Sequence, residues 1–107
     1  MTKIKPRVII RKKDRIEYIL SGLCRYYDIT MDELIRKTGH GKNCMRKRYA
    51  VKILRDEADC SLKDIKFAYG NKDEATIYFI YQRITDDMTV DKTMRQEYNN
   101  ILNFLGI

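Results

Sequence analysis

Apolar residues recur along this chain at helical spacing and never alternate as a half-buried strand requires. From about Asp14 they stand at Ile16, Ile19, Leu20 and Leu23, with Tyr26 and Tyr27 closing the stretch, so one face of a helix is apolar. Thr30-Met31-Asp32-Glu33 has the form of a capping box, with Thr30 as N-cap and Glu33 at N3, and opens a short second helix that reaches about Lys37. Gly39-His40-Gly41-Lys42-Asn43 breaks the pattern. A third helix spans roughly Cys44 to Ala58, with Ala50, Ile53 and Leu54 facing the core and the basic side chains on the other face. Ser61 is a good N-cap, and Asp64 three residues on favours the positive end of a fourth helix. Leu62, Ile65 and residues 67–69 form its apolar stripe, and Gly70 can take the positive φ that ends it. Asn71, Lys72 and Asp73 supply turn and cap chemistry, after which Ile77, Ile80, Tyr81 and Ile84 recur at i, i+3, i+4 and i+7. A last helix from about Val90 to Leu105 carries Met94, Tyr98, Ile101, Leu102 and Leu105 at the same spacing. The pattern predicts an all-α fold of about six helices, with no internal repeat.

Composition agrees with that reading. One Pro and five Gly in 107 residues leave few breakers, and 44% apolar content suffices to bury one core without metals or disulfides. The division expected is a flexible basic arm at residues 1–11 and a single helical domain at residues 12–107. Three cysteines, Cys24, Cys44 and Cys60, are an odd number with no C-x-x-C, which fits a reducing cytoplasm. His40 is the sole histidine, so neither a zinc cage nor a Ser-His-Asp arrangement can be assembled, and no cofactor, metal or small-molecule substrate is expected. No nucleophile, base and orienting group fall at readable spacings, which argues against an enzyme. Val8-Ile9-Ile10 is too short for the core of a signal segment, and no apolar run reaches membrane-spanning length, so a soluble cytoplasmic protein is expected.

The net charge of +7 is unevenly spread. Residues 1–55 carry 16 Lys and Arg against 5 Asp and Glu, whereas residues 56–107 carry 6 against 10. No acid lies between Glu33 and Asp56, a span holding Arg36, Lys37, Lys42, Arg46, Lys47, Arg48, Lys52 and Arg55. Like charges at that density repel unless an anion is near, so the natural counterpart is a polyanion; the plainer use is a solvated surface. The loop from Gly39 to Lys42 lacks the Walker spacing and no strand leads into it, which turns the reading from nucleotide hydrolysis toward a loop laid over a nucleic-acid backbone, or a simple helix connection.

The fourth and fifth helices, joined by a tight glycine-containing turn from Phe67 to Ile77, have the signature of a helix-turn-helix. The order of parts, basic loop, basic helix and then Ser61-Leu62-x-x-Ile65-x-x-x-Tyr69-Gly70-x-Lys72-Asp73-x-x-Thr76-Ile77, resembles the C-terminal DNA-binding domain of the bacterial replication initiator DnaA family from about Tyr26 to Leu105. The resemblance implies a Trp-repressor-like domain that binds double-stranded DNA, its recognition helix in the major groove and an arginine of the basic helix in the adjacent minor groove. By the same resemblance Asp73 and Thr76 match residues that read bases, Lys72 stands for an arginine, Arg83 sits where a basic residue is common, and Lys47 falls at the minor-groove arginine with Arg46 and Arg48 one residue to either side. Glu74 replaces a histidine and Ala75 a threonine, so a donor and a hydroxyl that the family uses at the bases are absent. The expected DNA contacts are therefore Lys42, Arg46, Lys47, Arg48 and Lys52 on the backbone or minor groove, with Lys72, Asp73, Glu74, Thr76 and Arg83 at the recognition helix. Full-length members of the family also carry an ATPase module, and the expectation for this chain is DNA occupancy without it, as a regulator of replication or an accessory of a mobile element.

Ile77-Tyr78-Phe79-Ile80-Tyr81 is apolar all round, so Tyr78 and Phe79 are expected to be covered, first by the last helix, then by a protein partner, then by DNA. The competing function is a protein-interaction module in which this aromatic helix and the acidic C-terminal half bind a partner.

Overall fold

The structure, a computed structural model, describes residues 11–35, 42–69 and 73–107. Six helices make up the described residues: α1 (Lys12–Tyr27), α2 (Met31–Ile35), α3 (Lys42–Asp56), α4 (Leu62–Ala68), α5 (Glu74–Val90) and α6 (Lys92–Leu105). Each boundary has a local cause. α1 stops where Asp28 turns left-handed, at φ 56°. The Thr30 hydroxyl accepts the Glu33 backbone N–H at 3.1 Å and starts α2. At α4 the capping box is reciprocal: the Asp64 N–H donates to Ser61 Oγ at 3.2 Å and the Ser61 N–H donates to Asp64 Oδ2 at 3.0 Å. The Asp73 carboxylate accepts the Ala75 N–H and starts α5. Asp91 both ends α5 and caps α6, so the long fifth helix runs to Val90, where the periodicity had placed the start of the sixth.

Ile19, Leu23, Leu34, Ile53, Leu54, Ile65, Ile77, Ile84 and Ile101 are fully buried and come from every helix. These are the residues at helical spacing in the sequence, and they meet because α3 packs against α5 and α1, α1 against α6, and α4 against α5. Gly22 lets α1 and α6 approach closely, since a Cβ there would run into the buried Leu105 side chain. The Tyr18 hydroxyl donates to the Leu105 carbonyl at 2.7 Å beside it. Among the described residues no helix is long and apolar enough to cross a membrane.

Candidate nucleic-acid interface

α4 and α5, the two helices expected to form a helix-turn-helix, pack against each other. The turn between them, Gly70-Asn71-Lys72, lies outside the described residues, and so do the loop Gly39–Gly41 and residues 1–10 of the basic arm. α5 begins in the open: Asp73, Glu74, Ala75 and Thr76 are all exposed, while Ile77 one step on is fully buried. Ile77, Ile80, Tyr81 and Ile84 face inward as their spacing predicts, and that orientation turns the first helical turn toward solvent. Arg83 is exposed two turns further along and pairs with Asp87 at 3.2 Å.

The basic face of α3 is more committed to the fold than its charge suggests. Lys47 is 5% exposed and its ammonium is buried, which corrects the expectation that all the basic side chains of α3 face outward. The reason is register: Lys47, Ala50, Val51 and Leu54 stand at i, i+3, i+4 and i+7, so residue 47 shares the core stripe. Lys52 is held 2.8 Å from Asp56, donates to Thr85 Oγ1 at 3.4 Å and lies over the Tyr81 and Tyr98 rings. Arg46 is half-buried with its guanidinium 4.9 Å from the centre of the Tyr27 ring. Arg48 is half-buried and turns one N–H toward Met45 Sδ at 3.5 Å. Lys42 opens α3, and its side chain lies outside the described residues.

The structure brings forward two cations that the charge map passed over. Lys63 is exposed and Lys66 half-buried on α4, the helix that packs against α5, and Lys66 rests over the exposed Phe67 ring at 5.6 Å. Their i, i+3 spacing opposite buried Ile65 was the available signal. Phe67 itself is 56% exposed and not part of the stripe assigned to it. Tyr78 and Phe79 are 46% and 67% exposed and stand edge to face, so α6 does not cover them as expected.

A tyrosine-rich seam backs this surface. Burial raises Tyr27, Tyr69 and Tyr98 far above the ordinary phenol range, and burial together with a 2.8 Å hydrogen bond to Glu97 pushes Tyr26 up to about 12. These rings stay neutral at any ordinary pH, and Tyr26 donates its hydroxyl to Glu97.

Comparison with known proteins gives one consistent result. Over 92 residues, 85% of this chain and 19% of the relative, the chain is 32% identical to the chromosomal replication initiator protein DnaA of Herpetosiphon aurantiacus. It is 30% identical over 88 residues to DnaA of Roseiflexus castenholzii and 26% identical over 90 residues to DnaA of Lacticaseibacillus casei. The chain thus spans about a fifth of the length of these relatives, within their C-terminal region. No protein-family model and no solved structure matches it.

Proposed function

The chain is a DnaA C-terminal-domain-like protein over most of its length, and from that premise we propose that it binds double-stranded DNA through α4, the start of α5 and the cations of α3. The observation that carries the proposal is the exposed first turn of α5, held open on a packed helix pair. A helix so presented fits the major groove, whose width of about 12 Å admits a helix about 10 to 12 Å across.

Lys72, Asp73, Glu74 and Thr76 take the base edges in this reading, with Arg83 further along the groove. Glu74 is suited to accept from cytosine N4. Lys42, Arg46 and Arg48 of α3, joined by Lys63 and Lys66 of α4, neutralise phosphates. Lys52 acts behind them by fixing α3 against α5, and Lys47 packs in the core stripe of α3. The role that follows is occupancy of initiator-type sites as a regulator of replication or an accessory of a mobile element.

Salt titration tests this directly. Each neutralised phosphate contributes about −0.9 to the slope of log affinity against log salt. Lys63→Ala with Lys66→Ala, and separately Arg46→Ala with Arg48→Ala, should each make the slope shallower by nearly two such units. Slopes identical to the parent in both double variants would remove these cations from the interface.

A further inference from the structure

The outward face of α5 does not end at its first turn. Ala75, Tyr78, Phe79 and Gln82 are exposed and stand at i, i+3, i+4 and i+7, opposite the buried Ile77 and Ile84. That is the spacing with which a homeodomain recognition helix lays one face along the major groove. The face has a particular chemistry: a methyl group, two aromatic rings with centroids 5.8 Å apart, and a primary amide, with no cation among the four. One amide N–H of Gln82 donates to Asp86 Oδ1 at 3.1 Å, which orients the group and leaves its second N–H and its oxygen facing out. Those two atoms are the pair that adenine N7 and N6–H require, and apolar groups are what the thymine C5-methyl meets. Asp86 and Asp87 follow at once, and their charge sets where the face must leave the phosphates.

We infer that Ala75, Tyr78, Phe79 and Gln82 form a second reading segment that selects A·T pairs, with Phe79 and Ala75 on thymine methyl groups and Gln82 on the adenine one step further along the groove. The inference rests on the DNA-binding reading above. It explains two features together. Aromatic rings stay uncovered on a helix whose opposite face buries Ile77 and Ile84, and a glutamine is oriented by a carboxylate from its own helix.

The experiment uses the full chain and a duplex recovered from a random pool at near-physiological salt. Each thymidine of that site is replaced in turn by deoxyuridine, which removes the methyl group and leaves base pairing intact. Burial of one methyl group corresponds to roughly fourfold in affinity. At one or two adjacent positions the parent should lose roughly that factor, while Phe79→Ala, already lacking the contact, should bind thymine and uracil duplexes equally. Gln82→Ala should bind with relaxed choice at an adjacent A·T pair and keep its salt slope. Phe79 is exposed, so its truncation leaves the core untouched, and Tyr78→Ala is a second variant of the same kind. Equal uracil sensitivity in the parent and Phe79→Ala overturns the inference while leaving DNA binding standing. So does a parent indifferent to uracil, or a Phe79→Ala variant that changes only the mass of the protein in light scattering, since the face then serves a protein contact. Failure to recover any site overturns the DNA-binding reading and this one with it.

Discussion

Tyr81 donates its hydroxyl to Asp56 across 2.7 Å, tying α5 to the end of the basic helix α3. The same carboxylate accepts from Lys52 at 2.8 Å, so one acid both positions α5 and engages a cation of the proposed DNA-binding half. The orientation of the exposed first turn of α5, which the proposed reading places in the groove, depends on this junction.

Removing Asp56 should therefore cost more than removing either donor alone. Asp56→Ala leaves two donors without their acceptor and is expected to lower stability by about 1 to 3 kcal/mol, against about 0.5 to 1.5 for Tyr81→Phe. Urea midpoints at unchanged slope check both. Equal losses would show that the Lys52 contact adds nothing beyond the tyrosine bond.

Stability should fall on the alkaline side. The folded-state pKa values of Tyr26, Tyr27, Tyr69 and Tyr98 lie above those of the free phenol, chiefly through burial, so the unfolded chain gives up its phenolic protons first. Their contribution is complete below about pH 10, where an unfolded tyrosine begins to ionise. It is lost as pH rises, for Tyr26 through about 12. Melting temperature against pH should show this decline together with a rise in tyrosinate absorbance. A melting temperature flat to pH 11 would contradict the buried placement of these rings.

Asp73 caps α5, and the proposed reading adds a role at a base edge that a conservative change can separate. Its carboxylate caps α5 at the Ala75 N–H, and asparagine caps a helix about as well. Asp73→Asn should thus keep stability within about 0.5 kcal/mol while shifting site preference at one base pair. Asp73→Ala should lose about 1 kcal/mol through the cap as well. If the asparagine variant selects the same site as the parent, Asp73 is a cap and nothing more.

The helices could be read from the chain because the apolar residues that signal them, Ile16 to Leu23 in α1 and Met94 to Leu105 in α6, are also those that bury. Ser61 and Asp64 marked the start of α4 for the same reason, since capping is a local interaction. Side-chain direction within a helix was harder to foresee where residue type and register disagree. Lys47 follows the register inward despite its charge, whereas Phe67 follows it outward despite its ring. On α5, apolar residues occupy every face of one turn, yet the i, i+3, i+4, i+7 spacing placed Ile77, Ile80, Tyr81 and Ile84 inward; what the spacing could not show is that no neighbouring helix covers Tyr78 and Phe79. The charge map pointed to α3, yet Lys52 is spent on Asp56 and Thr85 while Lys63 and Lys66 on less basic α4 face out or lie half-buried. A tally of charge along the chain does not record which cations already have partners.

The central claim, that this chain reads duplex DNA, is tested most directly by selecting sites from a random duplex pool with the full chain at near-physiological salt. A recurrent site should emerge, bound at least a thousandfold more tightly than scrambled sequence, and its enrichment should weaken in Thr76→Ala. Recovery of no common sequence, with binding that vanishes as salt rises from low to near-physiological, would contradict it.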